Sequence, residues 1–344
     1  MANSIRIAVD AMGGDFGPRV TVSALIDSLI AHRHISALVF GDRSEISEQL
    51  NACRDLEVLQ RIEIRHSDSV VTGTDLPSAV LRNKRTSSMG AAMQAVAEGE
   101  AAAFISAGNT GAIMALGLYF VKPLPGVSRP AICTAVPTLT GRSYVLDLGA
   151  NIHCSAHQLY QFGLLGSLMA QHLGRIAAPS VRLLNVGEEL SKGSEKIQQA
   201  AELLADEPLV NYCGYIEGDG IFAGATDVVV CDGFAGNVAL KTSEGLVAMV
   251  SALFRQSVNK HWLPKLAALL MRPTLMRLKA QLDPAIYNGA HFLGLSAVVI
   301  KSHGKANKTA FTNAINVAID AADHNLPLIL SPILKQRMEP QQGI

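Results

Sequence analysis

The residues best suited to chemistry lie in short turns that pair glycine with a side-chain amide or an acid. The first is Ser106-Ala107-Gly108-Asn109-Thr110-Gly111, inside an uncharged run from Ala101 to Val121. Glycine lets the backbone approach a ligand closely, and a helix starting just after the turn aims free N–H groups and a positive dipole end at that point. An anion is the natural guest, so Ser106, Gly108, Asn109, Thr110 and Gly111 are expected to cradle a phosphate. "DLGAN" (Asp147 to Asn151) and "DGFAGN" (Asp232 to Asn237) repeat the pairing, and Lys241 follows four residues after Asn237. Signatures of other chemistries are missing: there is no GxxxxGK[ST], no GxSxG and no HExxH. His153, Cys154 and His157 would bring two imidazoles to one helical face, but with no clear third and fourth ligand they predict no metal site. Asp10, Asp15, Asp147 and Asp232 would hold Mg²⁺ only if their strand ends converged; bonding to turn amides is the preferred reading.

Positioning such turns takes strands before them and helices after them. Seven short apolar runs each lead into a polar glycine turn: "IRIAV" into "DAMGGDFG", "ALVF" into "GD", "AAFI" into "SAGNTG", "YVL" into "DLGAN", "VRLL" into "NVGEE", "DVVVC" into "DGFAGN" and "AVVI" into "KSHG". Near-continuous apolar strands alternating with helices predict a largely parallel sheet covered on both faces, an open three-layer α/β/α architecture. Ligands in such sheets sit outside the carboxyl ends of the strands, where these turns would lie. The run Ala101 to Val121 is about as long as a membrane span. Its polar middle argues instead for a buried strand, a turn and a buried helix.

The chain has 344 residues, enough for one large α/β domain. Apolar residues make up 49% and charged residues 17%, which excludes a disordered chain, and Lys+Arg balance Asp+Glu at 29 each, so charge predicts no nucleic-acid partner. The N-terminus lacks the basic and long apolar regions of a signal peptide, so a cytoplasmic location is expected. Five widely spaced cysteines with no CxxC pair read as mostly buried, reduced thiols.

One segment departs from the charge balance. Residues 251–281 hold six basic residues (Arg255, Lys260, Lys265, Arg272, Arg277, Lys279) and no acidic one. Val247, Val250, Phe254 and Val258, then Leu275, Leu278 and Leu282, are spaced as helical faces, and Pro264 and Pro273 are expected to break the segment into a hairpin over residues 244–284 within a single domain. Its tip would carry Trp262, Leu263, Lys265, Leu266, Leu269 and Leu270, a composition suited to lying on an anionic membrane surface. A dimer contact or a core hairpin is the alternative. Arg82, Lys84 and Arg85 read as a solvated loop.

"VDAMGGDFGP" (9–18), "SAGNTGA" (106–112), "RPA" (129–131), "VLDLGAN" (145–151), "LLNVGEE" with "KG" (183–193), "DVVVCDGFAGNVALKTSEG" (227–245), "YNGA" with "LGL" (287–295) and "VIKSHG" (299–304) resemble, in order and over about 300 residues, the bacterial phosphate acyltransferases. These make acyl phosphate from acyl-[acyl-carrier-protein] and inorganic phosphate at the entry to phospholipid synthesis. The resemblance implies an isocitrate/isopropylmalate-dehydrogenase-like α/β/α fold, a homodimer without cofactor, peripheral association with the inner face of the membrane, and delivery of acyl phosphate to a glycerol-3-phosphate acyltransferase. Two positions depart from the family pattern: His153 stands where Asp is common, and Thr86 replaces the acid of "KKDSSM", leaving Ser87 and Ser88.

On that resemblance, a phosphate oxygen attacks a thioester carbonyl and a thiolate leaves. Asn109, Thr110 and Gly111 are expected to hold phosphate, Asn237 and Lys241 the phosphate or oxyanion, and Lys192 and Lys301 to compensate charge, while His303 donates a proton to the thiolate. Asp10, Gly13, Gly14, Asp15, Asn151, Asn185 and Asp232 are expected to line the substrate pocket. Two rival readings stay open: a metal- and NAD-dependent β-decarboxylating dehydrogenase of the same fold, and a non-enzymatic membrane scaffold.

Overall fold

The computed structural model describes residues 5–189, 191–260 and 262–338. Their strands are β1 (Ile5–Asp10), β2 (Ile35–Gly41), β3 (Ile62–His66), β4 (Ala103–Ser106), β5 (Ala131–Thr138), β6 (Gly141–Leu146), β7 (Ser180–Leu184), β8 (Asn211–Ile216), β9 (Val228–Val230), β10 (Ala290–Leu293) and β11 (Val298–Lys301). They form one sheet in the order β3-β2-β1-β4-β11-β10-β5-β6-β9-β7-β8. All seven expected strands are present. The unanticipated four include β10 and β5, which pair antiparallel with each other at the centre and join two parallel blocks of opposite direction.

Register sets the geometry of the centre. Ile300 lies opposite His291, His291 opposite Cys133, and Cys133 opposite Leu146, which lies beside Val230. The carboxyl ends of both blocks therefore meet at one row, arriving from opposite directions. The turns do lie outside the carboxyl ends, but on two sides of this row: those after β1, β2, β4 and β11 on one, those after β6, β7 and β9 on the other.

The helices are α1 (Pro18–Ala31), α2 (Arg43–Leu50), α3 (Leu56–Leu59), α4 (Pro77–Asn83), α5 (Ser88–Ala97), α6 (Thr110–Leu116), α7 (Ala156–His172), α8 (Glu195–Ala205), α9 (Gly233–Asn259), α10 (Trp262–Leu270), α11 (Arg272–Leu282), α12 (Lys308–Asp323) and α13 (Leu326–Met338). Strand alternation places Ala8, Phe104, Val299, Phe292 and Val145 on one face, under α5, α6 and the first turns of α9. The other face packs against α1 and α12 over one block, and against α7, α8 and α13 over the other. The uncharged run from Ala101 thus becomes β4, a turn, α6 and a π-turn at Gly117–Val121.

The hairpin differs from expectation. Pro264 and Pro273 break no helix; they sit in the first turns of α10 and α11, where a missing N–H costs nothing. The first arm is the outer part of α9, which runs on for 27 residues, about 40 Å. Only Gly233 and Gly236 of α9 are buried, and no residue of α10 is, so a core role for the tip is excluded. The side chains of Leu278, Lys279 and Leu282 lie outside the described residues.

Candidate active site

Asp10, Ser106 and Lys301 end three neighbouring parallel strands in matching register, on the face covered by α9. Ser106 is fully buried; its Oγ donates to Asp10 Oδ2 at 2.7 Å and accepts from the Gly108 N–H at 2.9 Å. Burial pushes the Asp10 carboxyl above its ordinary range, against the pull of hydrogen bonds from Ser106 and from the Met12 amide. Ser88 Oγ faces the same carboxyl but closes no hydrogen bond of good geometry. A Cβ at Gly13 would stand 2.7 Å from Ser106 Oγ and 2.9 Å from Asp10 Oδ2, so glycine there lets the 11–17 loop lie on the 106–108 turn. Gly14, at φ +86°, and Asp15, whose N–H donates to the Gly304 carbonyl, tie that loop to the turn after β11. Three loops are thereby locked together. Asp10, Ser106, Gly13 and Gly14 shape this lock, and Asp15 stays exposed at its rim.

Lys301 lies under α9. Burial, reinforced by the Lys241 ammonium, lowers its pKa from 10.5 to about 8. His303 is lowered too, by burial and then by Lys241 and Lys301. Lys241 stands on α9 next to Leu240, which with Ala239 packs against the same core as Val299 of β11. His303 is oriented by its neighbours: its N–H donates to Asn288 Oδ1 at 2.9 Å, and its Nδ1 accepts the Lys305 N–H at 3.1 Å. The neutral ring then carries its proton on Nε2. Glu244 takes the Lys241 ammonium at 2.7 Å and, as the nearest acid, opposes the fall in the His303 pKa. Sequence reasoning missed Glu244 and Asn288. Glu244 was detectable, three residues after Lys241 and so on the same helical face.

The turns of the other block are braced internally. Asp147 Oδ1 and Oδ2 accept from the N–H groups of Ile132, Gly149, Ala150 and Asn151 and from Asn151 Nδ2. Asn151 Nδ2 also donates to the Pro130 carbonyl at 2.9 Å. Asp232 caps α9 through the Ala235 N–H and pairs with Lys196 at 2.9 Å. Asn185 is buried beneath the 185–193 loop, its Nδ2 on the Gly187 carbonyl. Asn151, Asp232 and Asn185 thus hold turns. Lys192 is exposed on the loop after β7, and no contact joins it to Lys241, Lys301 or His303. Asn237 packs beside Gly149, 3.5 Å from where a Cβ there would stand, one turn before Lys241. It is exposed and flanks the cluster.

Asn109 spends its side chain on the fold: Oδ1 caps α6 through the Ala112 N–H at 3.1 Å, and Nδ2 faces the carbonyls of Thr72, Gly73 and Asp75. Thr110 and Gly111 form the first turn of α6 beside it. His153 and Cys154 precede α7 and share no helical face with His157, which contacts Gln161. Cys133, Cys154 and Cys231 are buried, and burial raises all three thiols, Cys154 to about 11, so none is a ready nucleophile. Among the described residues no three His, Cys, Asp or Glu side chains group to hold a metal ion, and no helix is long and apolar enough to cross a membrane.

The model of a family described as "Fatty acid synthesis protein" matches residues 5–328. The phosphate acyltransferase of Halorhodospira halophila is 43% identical over 343 residues, covering 100% of both chains. That of Hydrogenovibrio crunogenus is 47% identical over 337 residues, covering 98% of this chain and 99% of that one. Among solved structures, a phosphotransacetylase from Streptococcus pyogenes has a TM-score of 0.62 at 16% identity, covering 94% of this chain and 95% of that one. The EutD phosphotransacetylase from Staphylococcus aureus has a TM-score of 0.60 at 18% identity, covering 93% and 94%. At such identities these two share the fold. Full-length identity above 40% to the acyltransferases goes further, and by it the chain belongs to the phosphate acyltransferase family of enzymes.

Proposed function

We propose that the protein transfers a long-chain fatty acyl group from acyl-[acyl-carrier-protein] to inorganic phosphate, releasing acyl phosphate for glycerol-3-phosphate acylation. The observation that carries this reading is the crowding of Lys241, Lys301 and His303: beyond burial itself, the Lys241 ammonium lowers the pKa of Lys301, and Lys241 and Lys301 together lower that of His303. Like charges gathered without a matching number of acids are relieved by an anion. Phosphate brings one, and it already bears a nucleophilic oxygen near neutral pH, its second pKa being about 6 to 7. That oxygen bonds to the thioester carbon, the carbonyl becomes an oxyanion, and the C–S bond then breaks to give acyl phosphate and a thiolate. Lys241 and Lys301 hold the phosphate, and Asn237 is placed to donate to the oxyanion. Burial and then the two ammonium groups favour the neutral ring of His303, whose Nε2–H is free to donate a hydrogen bond to the departing sulfur.

The acyl product is an amphiphile, and the exposed α10 tip supports a peripheral position on the inner face of the membrane, within reach of a glycerol-3-phosphate acyltransferase. A homodimer belongs to the same reading. The dehydrogenase alternative loses support because Asp10, Asp147 and Asp232 bond turn amides instead of converging. A scaffold gives the lysine cluster no task.

The test is release of carrier-protein thiol from palmitoyl-acyl carrier protein with and without phosphate. Phosphate-dependent release with a hydroxylamine-reactive acyl product is expected. Release that ignores phosphate, or none from folded protein, would sink the reading.

A further inference from the structure

The segment between β3 and α4, residues 67–76, crosses the carboxyl ends beside the Asp10–Ser106 lock. Its root is fixed by backbone: the Ser67 N–H donates to the Gly41 carbonyl, Ser88 N–H donates to the Ser69 carbonyl at 2.9 Å, and Val71 is buried in the core. Its tip is held differently. Thr72, Gly73 and Thr74 are exposed, and a Cβ at Gly73 would meet nothing within 4 Å. Two side chains restrain it. Asn109 Nδ2 faces the carbonyls of Gly73 at 3.0 Å, Asp75 at 3.2 Å and Thr72 at 3.4 Å. Lys84 Nζ bonds Asp75 Oδ2 at 2.6 Å and the Val70 carbonyl at 3.0 Å. Asp75 in turn accepts from the Thr72 N–H at 2.7 Å, closing the turn on itself. Lys84 foremost holds the Asp75 carboxyl below its usual range.

The bond to the Gly73 carbonyl has ordinary length, while the Asp75 and Thr72 carbonyls compete for the second amide proton, so the exposed tip is latched by two side chains rather than built into the core. The partners are informative. Asn109 follows directly on the Ser106–Gly108 turn and caps α6, while Pro77, at the end of the strap, lies 2.9 Å from where a Cβ at Gly111 would stand. Whatever moves the strap therefore moves the mouth of the turn beside Lys301.

We infer that Asn109 and Lys84 are positioning residues that latch the 72–76 strap against the 108–111 turn and so fix the mouth of the site. This rests on the reading of that site as the place where phosphate reacts. Neither residue touches substrate; Asn109 acts through the strap, and Lys84, half-buried in a loop otherwise solvated, acts through Asp75.

Hydrogen–deuterium exchange over residues 67–76 of the full-length protein, paired with phosphate kinetics, tests it. Asn109→Ser keeps an oxygen to cap α6 but loses the reach to the strap, and Lys84→Met leaves α6 untouched. Both are expected to speed exchange at 72–76 at least about tenfold and to lower kcat/KM for phosphate roughly ten- to a hundredfold, chiefly through KM. Lys84→Arg, which keeps the ion pair, should restore both. Wild-type exchange in Lys84→Met overturns the latch. So does strap release with unchanged kinetics, and so does loss of activity in Asn109→Ser with the strap still protected, which would make Asn109 a direct ligand. Exchange reads the latch even in a protein without activity, so its failure and the failure of the proposed reaction are told apart.

Discussion

At the scale of single residues, Lys301 decides the pH behaviour. Its folded pKa of about 8 lies below the ordinary 10.5, so below about pH 8 it is charged in both folded and unfolded chains. Above that the folded protein loses the proton first. Two consequences follow with opposite signs. Stability rises from pH 8 to 10.5, where the unfolded chain binds the extra proton, whereas phosphate affinity falls as pH climbs through about 8 because the ammonium is lost. In kcat/KM for phosphate, which reports the free enzyme, a descending limb near pH 8 is expected; in kcat it should lie higher, since bound phosphate raises the lysine. Lys301→Arg should retain activity and lose that limb, and Lys301→Met should raise the phosphate KM at every pH. A limb at the same pH in Lys301→Arg would assign it elsewhere. Asn109 and Ser106 show why residue roles were less legible than residue positions. A short polar side chain in a glycine turn can bond a ligand or its own neighbourhood, and the strap that Asn109 bonds is distant in sequence, which no local pattern announces.

At the scale of elements, the strands that were legible are those whose apolar runs end in glycine turns, because they are buried on both faces. The others lack that signal for separate reasons. β3 is an edge strand whose charges alternate with Ile62 and Ile64, β5 contains Pro137, β8 contains Gly214, and the short β10 is interrupted by the polar His291. Missing β5 and β10 hid the reversal at the centre, and with it the fact that the turns leave on two sides. What reconnects them is α9, and its seat is set by Gly236: a Cβ there would collide with the Asp147 carbonyl oxygen and stand 2.8 Å from Cys231 Sγ. Gly236→Ala should push α9 off the β6 turn, carrying Asn237 and Lys241 with it. Overpacking of this kind costs about 1–3 kcal/mol, so a fall of several degrees in Tm and a loss of kcat/KM are expected together. Gly245→Ala, on the same helix with nothing near its Cβ, is the control and should stabilise by about 0.5–1 kcal/mol. Equal behaviour of the two variants would mean that Gly236 does not seat the helix.

At the scale of the whole molecule, the surface of α9 to α11 is open and apolar. Trp262 is 71% exposed and Leu270 78%, with Leu263, Leu266, Leu269 and, down the arm, Met249 and Leu253 also open. Arg255, Lys260, Lys265, Arg272 and Arg277 are exposed among them. Apolar surface in one continuous stretch marks an interaction site, whether with a second copy or with lipid. The distribution separates the two. The basic residues are one-signed, which repels a second copy of the same segment and attracts an anionic surface, while the apolar positions nearer the body could still meet a partner. Each lysine near such a surface contributes about 1 kcal/mol, and burying a large apolar side chain about 1.5–3 kcal/mol. Lys260→Glu with Lys265→Glu should therefore weaken binding to anionic vesicles by at least about thirtyfold and leave neutral vesicles unaffected. Trp262→Ser with Leu270→Ser should abolish both, while thiol release from carrier protein in solution and the mass measured by light scattering stay at wild-type values. If instead the serine variant runs at a lower mass than the wild type and still cosediments with anionic vesicles, the tip is a subunit contact and lipid binding lies elsewhere.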